Sequence, residues 1–264
     1  MGRAAHRSAV HSTDRLPLEG AAASRAGYWS RIVPVKALDS ACVAAMSALY
    51  LRHYAGSSDA LFRGDLAEKD DALLVFAGDA LIGFTTIKIY DIEWQGRVAG
   101  IVYSGDTIVD RRHWGQRELA RAWLKYVGGI KARAPQRPLY WFLLVKGHRT
   151  YRYLPVFARR FHPSWLSEEP RLKTLADHLA AARFGADYDR DAGVVAFPES
   201  HGHLRAEFAL PDAAERERAD VKFFLARNPG FRSGHELVCL CELDVANLKP
   251  LAARLFARGQ RATQ

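Results

Sequence analysis

A mixed, mostly antiparallel central sheet flanked by helices, an α+β arrangement within the wider α/β class, is the fold the sequence predicts. Two observations lead there. Residues 72–109 carry three strand-like runs, 72–76, 81–92 and 98–109, separated only by Gly78-Asp79 and Gln95-Gly96-Arg97. Tight turns of that chemistry join antiparallel neighbours into a meander. The period then changes to 3.6, with Leu119, Trp123, Val127 and Ile130 recurring between Gly115 and Arg133. The run Leu139-Tyr140-Trp141-Phe142-Leu143-Leu144-Val145 that follows is apolar throughout, as a strand covered on both faces is. One helix lies between this strand and the one before it, so the two are expected to run parallel as a β-α-β unit.

The remaining elements follow in order. Residues 30–35 read as a short strand that Pro34 places at an edge or an end. Asp39-Ser40 offers an N-cap for a helix over 41–53, whose Val43, Ala45, Met46 and Leu49 share a face. Gly56-Ser57-Ser58-Asp59 breaks it, and a second helix is expected over 60–69. After Lys146-Gly147-His148 a helical segment over 150–161 is either started or kinked by Pro155 and closed by His162-Pro163. Ser167-Glu168-Glu169-Pro170 begins another helix, with Leu172, Leu175 and Leu179 inward and Gly185 as its stop. A strand over 192–197, a helix from Pro211-Asp212 to residue 227, a strand over 236–243 and a helix over 246–258 complete the chain. The division expected is a disordered basic tail over 1–27, a core over 28–163, and a C-terminal α/β extension over 164–264 that completes the sheet or walls an acceptor site.

Composition narrows the class. The 264 residues fit one large domain or two small ones. Hydrophobic residues at 49% and charged residues at 25% exclude collagen-like and low-complexity chains. No apolar run is long enough for a transmembrane helix, and residues 1–30 lack the apolar stretch of a secretory signal. Three cysteines build no disulfide framework; Cys239 and Cys241 alternate on a strand and read as buried thiols of a reduced, cytoplasmic protein. The net charge is +9, and nine of the 38 basic residues are Lys, which leaves 29 Arg. Such a surface attracts nucleic acid, anionic membranes or phosphorylated small molecules. The arginine bias equally fits a GC-rich bacterial coding sequence.

The informative stretch is residues 101–121, where a strand ends at Val109, a basic loop of about seven residues follows and a helix begins near Gly115, with Arg111, Arg112 and Arg117 around that junction. A helix N-terminus presents unpaired N–H groups and a partial positive charge, and a glycine lets the backbone approach a ligand. The arginines add full charges, so the stretch reads as a pyrophosphate cradle.

At these residues the chain resembles the GNAT superfamily, the acyl-CoA-dependent N-acyltransferases. The order strand, two helices, three antiparallel strands, helix, strand, helix covers about residues 30–162. The family's loop Arg/Gln-x-x-Gly-x-Gly/Ala is matched at Arg112 and Gly115, and Arg117 departs from it. The resemblance implies direct acyl transfer from acyl-CoA, acetyl-CoA included, or from an acyl-carrier protein, to an amine or hydroxyl of a small molecule, with no metal. It implies that the fourth and fifth strands part around the pantetheine arm. Backbone groups of Thr107, Ile108 and Val109 are expected against that arm, and Arg111, Arg112, Gly115, Gln116 and Arg117 against the phosphates. Asp106, an acid in an otherwise apolar strand, is the expected general base, its alternative being a residue that pairs with an Arg or stabilises a bulge beside Gly105. Tyr151 and Tyr153 are the expected candidates for the acid that protonates the thiolate, with packing as the alternative. His148, at the mouth of the fifth strand, is a further candidate base near neutral pH, with a surface-loop histidine as the expected alternative.

Other signals are discounted. His201-Gly202-His203 lacks a third metal ligand at a characteristic spacing, Lys146-Gly147-His148-Arg149 is no P-loop, and Ser104 sits in no nucleophile elbow. Three carboxylates at Asp187, Asp189 and Asp191 offer a cationic acceptor a charge complement, or form a solvated turn. An acyltransferase therefore ranks first, a non-catalytic protein of the same fold that binds a ligand or partner second, and a nucleic-acid-binding protein third, since no recognition signature accompanies the charge. An acidic carrier protein would be drawn to a basic mouth.

Overall fold

A computed structural model of the chain describes residues 27–198 and 201–263. The tail expected over 1–27 lies, apart from Gly27, outside the described residues. The first half reads β1 (Tyr28–Pro34), α1 (Ser40–His53), α2 (Asp59–Ala67), β2 (Asp71–Ala77), β3 (Ala80–Trp94), β4 (Arg97–Val109), α3 (Glu118–Arg133) and β5 (Leu139–Val145). It continues through α4 (His148–Tyr151), α5 (Tyr153–Phe157), α6 (Pro170–Phe184), β6 (Tyr188–Asp189), β7 (Val194–Val195), α7 (Ala219–Arg227), β8 (Glu236–Glu242) and α8 (Pro250–Thr263). Single helical turns at Ala206–Ala209 and Ala213–Arg216 precede α7.

The sheet order is β1-β2-β3-β4-β5-β8-β7-β6. Only β4 and β5 run parallel; every other neighbouring pair is antiparallel. The molecule is thus a mixed, mostly antiparallel α+β sheet with flanking helices, as the patterning predicts. β8 pairs with β5, so residues from the second half complete the sheet.

Period two explains the continuous apolar strands. In β2, Leu73 and Val75 face one layer while Ala72, Leu74 and Phe76 face the other. In β5, Trp141, Leu143 and Val145 face the first layer and Phe142 the second. The first layer is closed by α3, α5, α7 and α8 through Trp123, Phe157, Phe224 and Phe256. Cys239 and Cys241 both point into it and are fully buried. The second face is shared: α1 and α2 cover one end with Met46, Leu49 and Phe62, and α6 covers the other with Leu175 and Leu179.

α8 lies against α3 backbone to backbone. A β-carbon on Gly259 would sit 1.8 Å from the Lys125 carbonyl oxygen, and one on Gly128 would sit 2.1 Å from that of Phe256. The C-terminal helix therefore belongs to the same packed layer as α3.

Several boundaries differ from the sequence expectation. The helix expected from Pro211-Asp212 to residue 227 is divided into the turn Ala213–Arg216 and α7, and the strand expected over 192–197 shortens to Val194–Val195. Three further differences have a clear backbone reason. α3 begins at Glu118 and not at Gly115, because Gly115 holds φ +92°, outside the right-handed helical region. The single helix expected over 150–161 is two short ones, since Pro155 has no N–H to give the carbonyl four residues back. Beyond it the chain extends, held by the Asn247 side chain, which donates to the Arg160 carbonyl (2.9 Å) and accepts from the Arg160 N–H (3.0 Å). The last helix starts at Pro250, whose ring disfavours helical geometry in the residue before it.

Candidate active site

β4 and β5 pair from Gly100 with Leu139 to Ser104 with Leu143, and then part. On the other side of β4, Thr107 faces Thr85 and Ser104 faces Ile87, so Gly105 and Asp106 together oppose the single residue Thr86. That is a β-bulge, which bends its strand and re-aims the side chains on it. Gly105 is required there by space: a β-carbon would lie 2.4 Å from Thr86 Oγ1 and 2.7 Å from Lys69 Cε. The bulge turns β4 away from β5, and a cavity of about 820 Å³ opens at the gap, between α1 and α2 on one side and α6 on the other. Its size is that of a small-molecule site.

Asp106 lies half-buried on the cavity wall. The other charged groups around it are matched in pairs: Lys69 with Asp65 at 2.5 Å, Lys146 with Glu236 at 3.3 Å, and Arg183 with Glu68 at 2.8 Å. Among the described residues no ion pair or side-chain hydrogen bond engages the Asp106 carboxylate. Burial, then the Asp65 carboxylate, pushes its pKa up to about 7, against the pull of Lys146 and Lys69. Burial works against the Lys146 ammonium, but Glu236 and Asp106 hold its pKa above the ordinary value. The phenols of Tyr50 and Tyr54, stacked with ring centroids 4.6 Å apart, are pushed up first by burial and then by Asp106.

The loop expected to cradle phosphate is arranged differently from its sequence reading. Thr107, Ile108 and Val109 line the cavity. The Val109 carbonyl, however, accepts from the Trp114 indole N–H at 2.9 Å, and the Thr107 hydroxyl pairs with that of Thr85 at 2.8 Å. Arg112 turns back to fork onto Asp110 (2.9 and 3.2 Å) and does not line the cavity. This holds the Asp110 carboxyl down at about 2. Arg111 lies over the Trp114 ring and borders a neighbouring groove. Gln116 caps α3, its side-chain oxygen accepting from the N–H groups of Glu118 (2.6 Å) and Leu119 (3.3 Å). Arg117 is the residue before the helix and gives it no side-chain cap. The amides of Gly115, Arg117 and Ala120 keep no acceptor among the described residues and are the donors left there for an anion.

The two tyrosines part company. Tyr151 is fully buried among Phe161, Trp165, Phe223 and Phe224, and its hydroxyl donates to the Pro163 carbonyl at 2.8 Å. It does not line the cavity, which leaves it the packing role. Tyr153 does line it, and burial raises its phenol pKa. His148 is buried beside Glu215, its Nε2 3.4 Å from a carboxylate oxygen, and burial followed by Arg149 lowers its pKa. His201 stacks on Phe197 at 4.0 Å, while His203 pairs in a two-residue ladder with Ala55.

Sequence reasoning passed over Asp65, Lys146, Glu236, Tyr50 and Tyr54. Lys146 and Glu236 carried a faint signal, each a charge at the end of an apolar strand. The tyrosines carried none, since aromatic residues on and just after a helix read as core.

No protein-family model and no curated protein matches the chain. Solved structures do. A conserved Enterococcus faecalis protein of unknown function, described as a probable N-acyltransferase, is similar at 12% identity and a TM-score of 0.38, over 51% of this chain and 33% of its own. A GCN5-related N-acetyltransferase from Kribbella flavida is similar at 17% and 0.35, over 50% and 33%. A GNAT family N-acetyltransferase from Escherichia coli, solved with CoA, is similar at 19% and 0.36, over 56% and 72%. The chain thus spans a third of the length of the first two. The fold is GNAT-like in its own topology, with β1 to β4 antiparallel, β5 parallel and the parting of β4 from β5.

Proposed function

We propose that the protein is an acyltransferase that moves an acyl group from acyl-CoA, acetyl-CoA included, to the amine of a small acceptor by direct attack. The observation that carries this reading is the bulge at Gly105 and Asp106, which parts β4 from β5 and sets an unpaired carboxylate on the cavity wall. The parted strands expose backbone groups for an amide-bearing arm such as pantetheine. The amides of Gly115 and Arg117 at the start of α3 suit a pyrophosphate.

With a pKa of about 7, Asp106 is half-ionised near neutrality, which suits a general base. It takes one proton from the acceptor ammonium. The neutral nitrogen attacks the thioester carbonyl, the C–N bond forms, and the C–S bond breaks as the tetrahedral intermediate collapses. The second N–H proton ends on the departing sulfur, a relay we assign to Tyr153, which lines the cavity. The products are an amide, free CoA and a proton released from Asp106.

A second reading is a non-catalytic binder of the same fold. It is favoured by the loop that fills itself, Trp114 on the Val109 carbonyl and Gln116 on the α3 amides. Titration of the protein with CoA, acetyl-CoA and a longer acyl-CoA, read as thermal stability, tests donor binding. A ligand at 100 times its dissociation constant stabilises by about 2.7 kcal/mol, a rise of a few degrees. No shift with any of them overturns the free-CoA donor and leaves a carrier-protein donor or the binder.

A further inference from the structure

We propose that the outer face of the α3–α8 layer is a docking surface for the phosphodiester backbone of a nucleic-acid duplex. This is independent of the acyltransferase reading.

The distribution of charge carries the first part. α3 with the residue before it holds Arg117, Arg121, Lys125, Lys131 and Arg133, and α8 holds Arg254, Arg258 and Arg261. Glu118 is the one carboxylate side chain among them. Eight cations against one anion give this pair of helices +7 of the chain's net +9, so the rest of the molecule is nearly balanced. Arg117, Arg121, Lys125, Arg254, Arg258 and Arg261 are exposed, and among the described residues none of the six enters an ion pair or a side-chain hydrogen bond. Arginines elsewhere are committed: Arg112 to Asp110, Arg149 to Glu215, Arg183 to Glu68 and Arg218 to Asp220.

Their arrangement carries the second part. The Arg121 N–H donates to the Arg117 carbonyl at 3.0 Å. Lys125 lies one turn further, so the three form a stripe about 12 Å long. Arg254, Arg258 and Arg261 form a second stripe on α8 at helical spacing. Trp123 and Val127 of α3 and Leu255 and Phe256 of α8 are packed into the first layer. Both stripes therefore face away from the sheet, and the cavity lies on its other side. The close contact of Gly259 with the Lys125 carbonyl brings the stripes together beside Arg258. Like charges at this spacing repel, and an anion laid across them relieves the repulsion. A duplex presents one phosphate per about 3.4 Å of axis on each strand, so a stripe of this length spans three or four.

The chemistry of the face selects among polyanions. Five of the six exposed cations are Arg, whose planar fork matches phosphate. A protein partner needs a desolvated apolar centre, and Leu251 is the one large apolar side chain exposed on either helix. A membrane takes an amphipathic helix by its apolar face, and that of α8 is already packed into the core. A single strand is held by stacking on aromatic rings. Neither helix offers one, since Trp123 and Phe256 are buried and the Tyr126 hydroxyl is engaged by Asp71. Phosphates of a duplex backbone require only the cations.

The test uses the full chain at low salt, about 50 mM. Anisotropy reads binding to labelled RNA and DNA duplexes of one sequence, to the single strand and to poly-glutamate, and sedimentation reads binding to vesicles containing phosphatidylglycerol. Either duplex should bind more tightly than the other probes, and the tighter of the two names the source. The logarithm of affinity should fall with the logarithm of salt with a slope of about −5, as six phosphate contacts give. Arg121→Glu, Arg254→Glu and Arg258→Glu together should weaken the duplex roughly tenfold or more and about halve that slope, while the melting temperature holds. No duplex binding, affinity that survives the triple substitution, or tighter binding of the single strand, poly-glutamate or the vesicles overturns the proposal.

Discussion

The two walls of the cavity are built in different ways. On the loop side, contacts close within a few residues: Arg112 on Asp110, Gln116 on Glu118 and Leu119, Trp114 on Val109. On the acceptor side they join distant segments: Arg183 with Glu68, and Lys146 with Glu236. The hydrogen bonds of Arg112, Trp114 and Gln116 are therefore satisfied by their own neighbourhood, with Tyr28 on His113 and Ser30 on Glu118 added from a distance, while the acceptor wall exists only once α6 and β8 have docked. A group that has already found a local partner has less to offer a ligand. The unpaired Asp106, at the seam between the two, has the most.

The comparison is broken most sharply at that seam. Asp106→Asn should lower kcat/KM by about 10²–10⁴ while leaving the acetyl-CoA thermal shift in place. In the unsubstituted enzyme, kcat/KM should climb as pH rises through about 7 and Asp106 loses its proton. Stability should run the other way. The folded pKa lies above the ordinary 3.8, so the contribution of the protonated carboxyl is complete below that value and is lost as pH rises through about 7. The Asn variant should then melt higher than the original at pH 8, with the difference fading toward pH 5. A flat pH–rate profile together with a pH-independent melting difference would remove Asp106 from the chemistry.

A smaller effect tests whether the second half shares one core with the first. Gly259→Ala puts a methyl group into the Lys125 carbonyl and should cost about 1–3 kcal/mol, as overpacking does. Urea unfolding should show one transition with a lower midpoint. Two transitions would mean that α8 and its neighbours fold as a separate unit, and the acceptor wall would then need another explanation.

The smallest effect probes the loop wall. Gln116→Ala uncaps α3 and should cost about 1 kcal/mol or less. It frees the Glu118 and Leu119 amides, so affinity for acetyl-CoA should hold or improve. A tenfold loss of affinity would instead make the Gln116 side chain a ligand contact.

Much of the fold was legible because local chemistry dictates it. Turns at Gly78-Asp79 and Gln95-Gly96 fixed the meander, Asp39 capped α1 by accepting from the Cys42 N–H at 2.7 Å, and the all-apolar β5 announced two covered faces. The cavity wall was legible at Asp106, at Tyr153 and in the loop's position. Arg112 read as a phosphate contact because a sequence shows charge without direction, and Asp110, two residues away, claims it. Tyr151 and Tyr153 look alike in sequence, yet they stand two residues apart on helical backbone, about 200° around the axis, so one enters the core and the other faces the cavity.

The sequence by itself determined the order of the elements, the parallel insertion of β5 and the acid within β4, since period, turns and caps act over a few residues. Only the tertiary structure decided which charges cancel. The pairing of Lys146 with Glu236 spans the joined ends of β5 and β8, and Arg183 meets Glu68 across 115 positions of chain. Electrostatic pairing depends on distance in space, and the fold alone brings those residues together and leaves Asp106 without a partner.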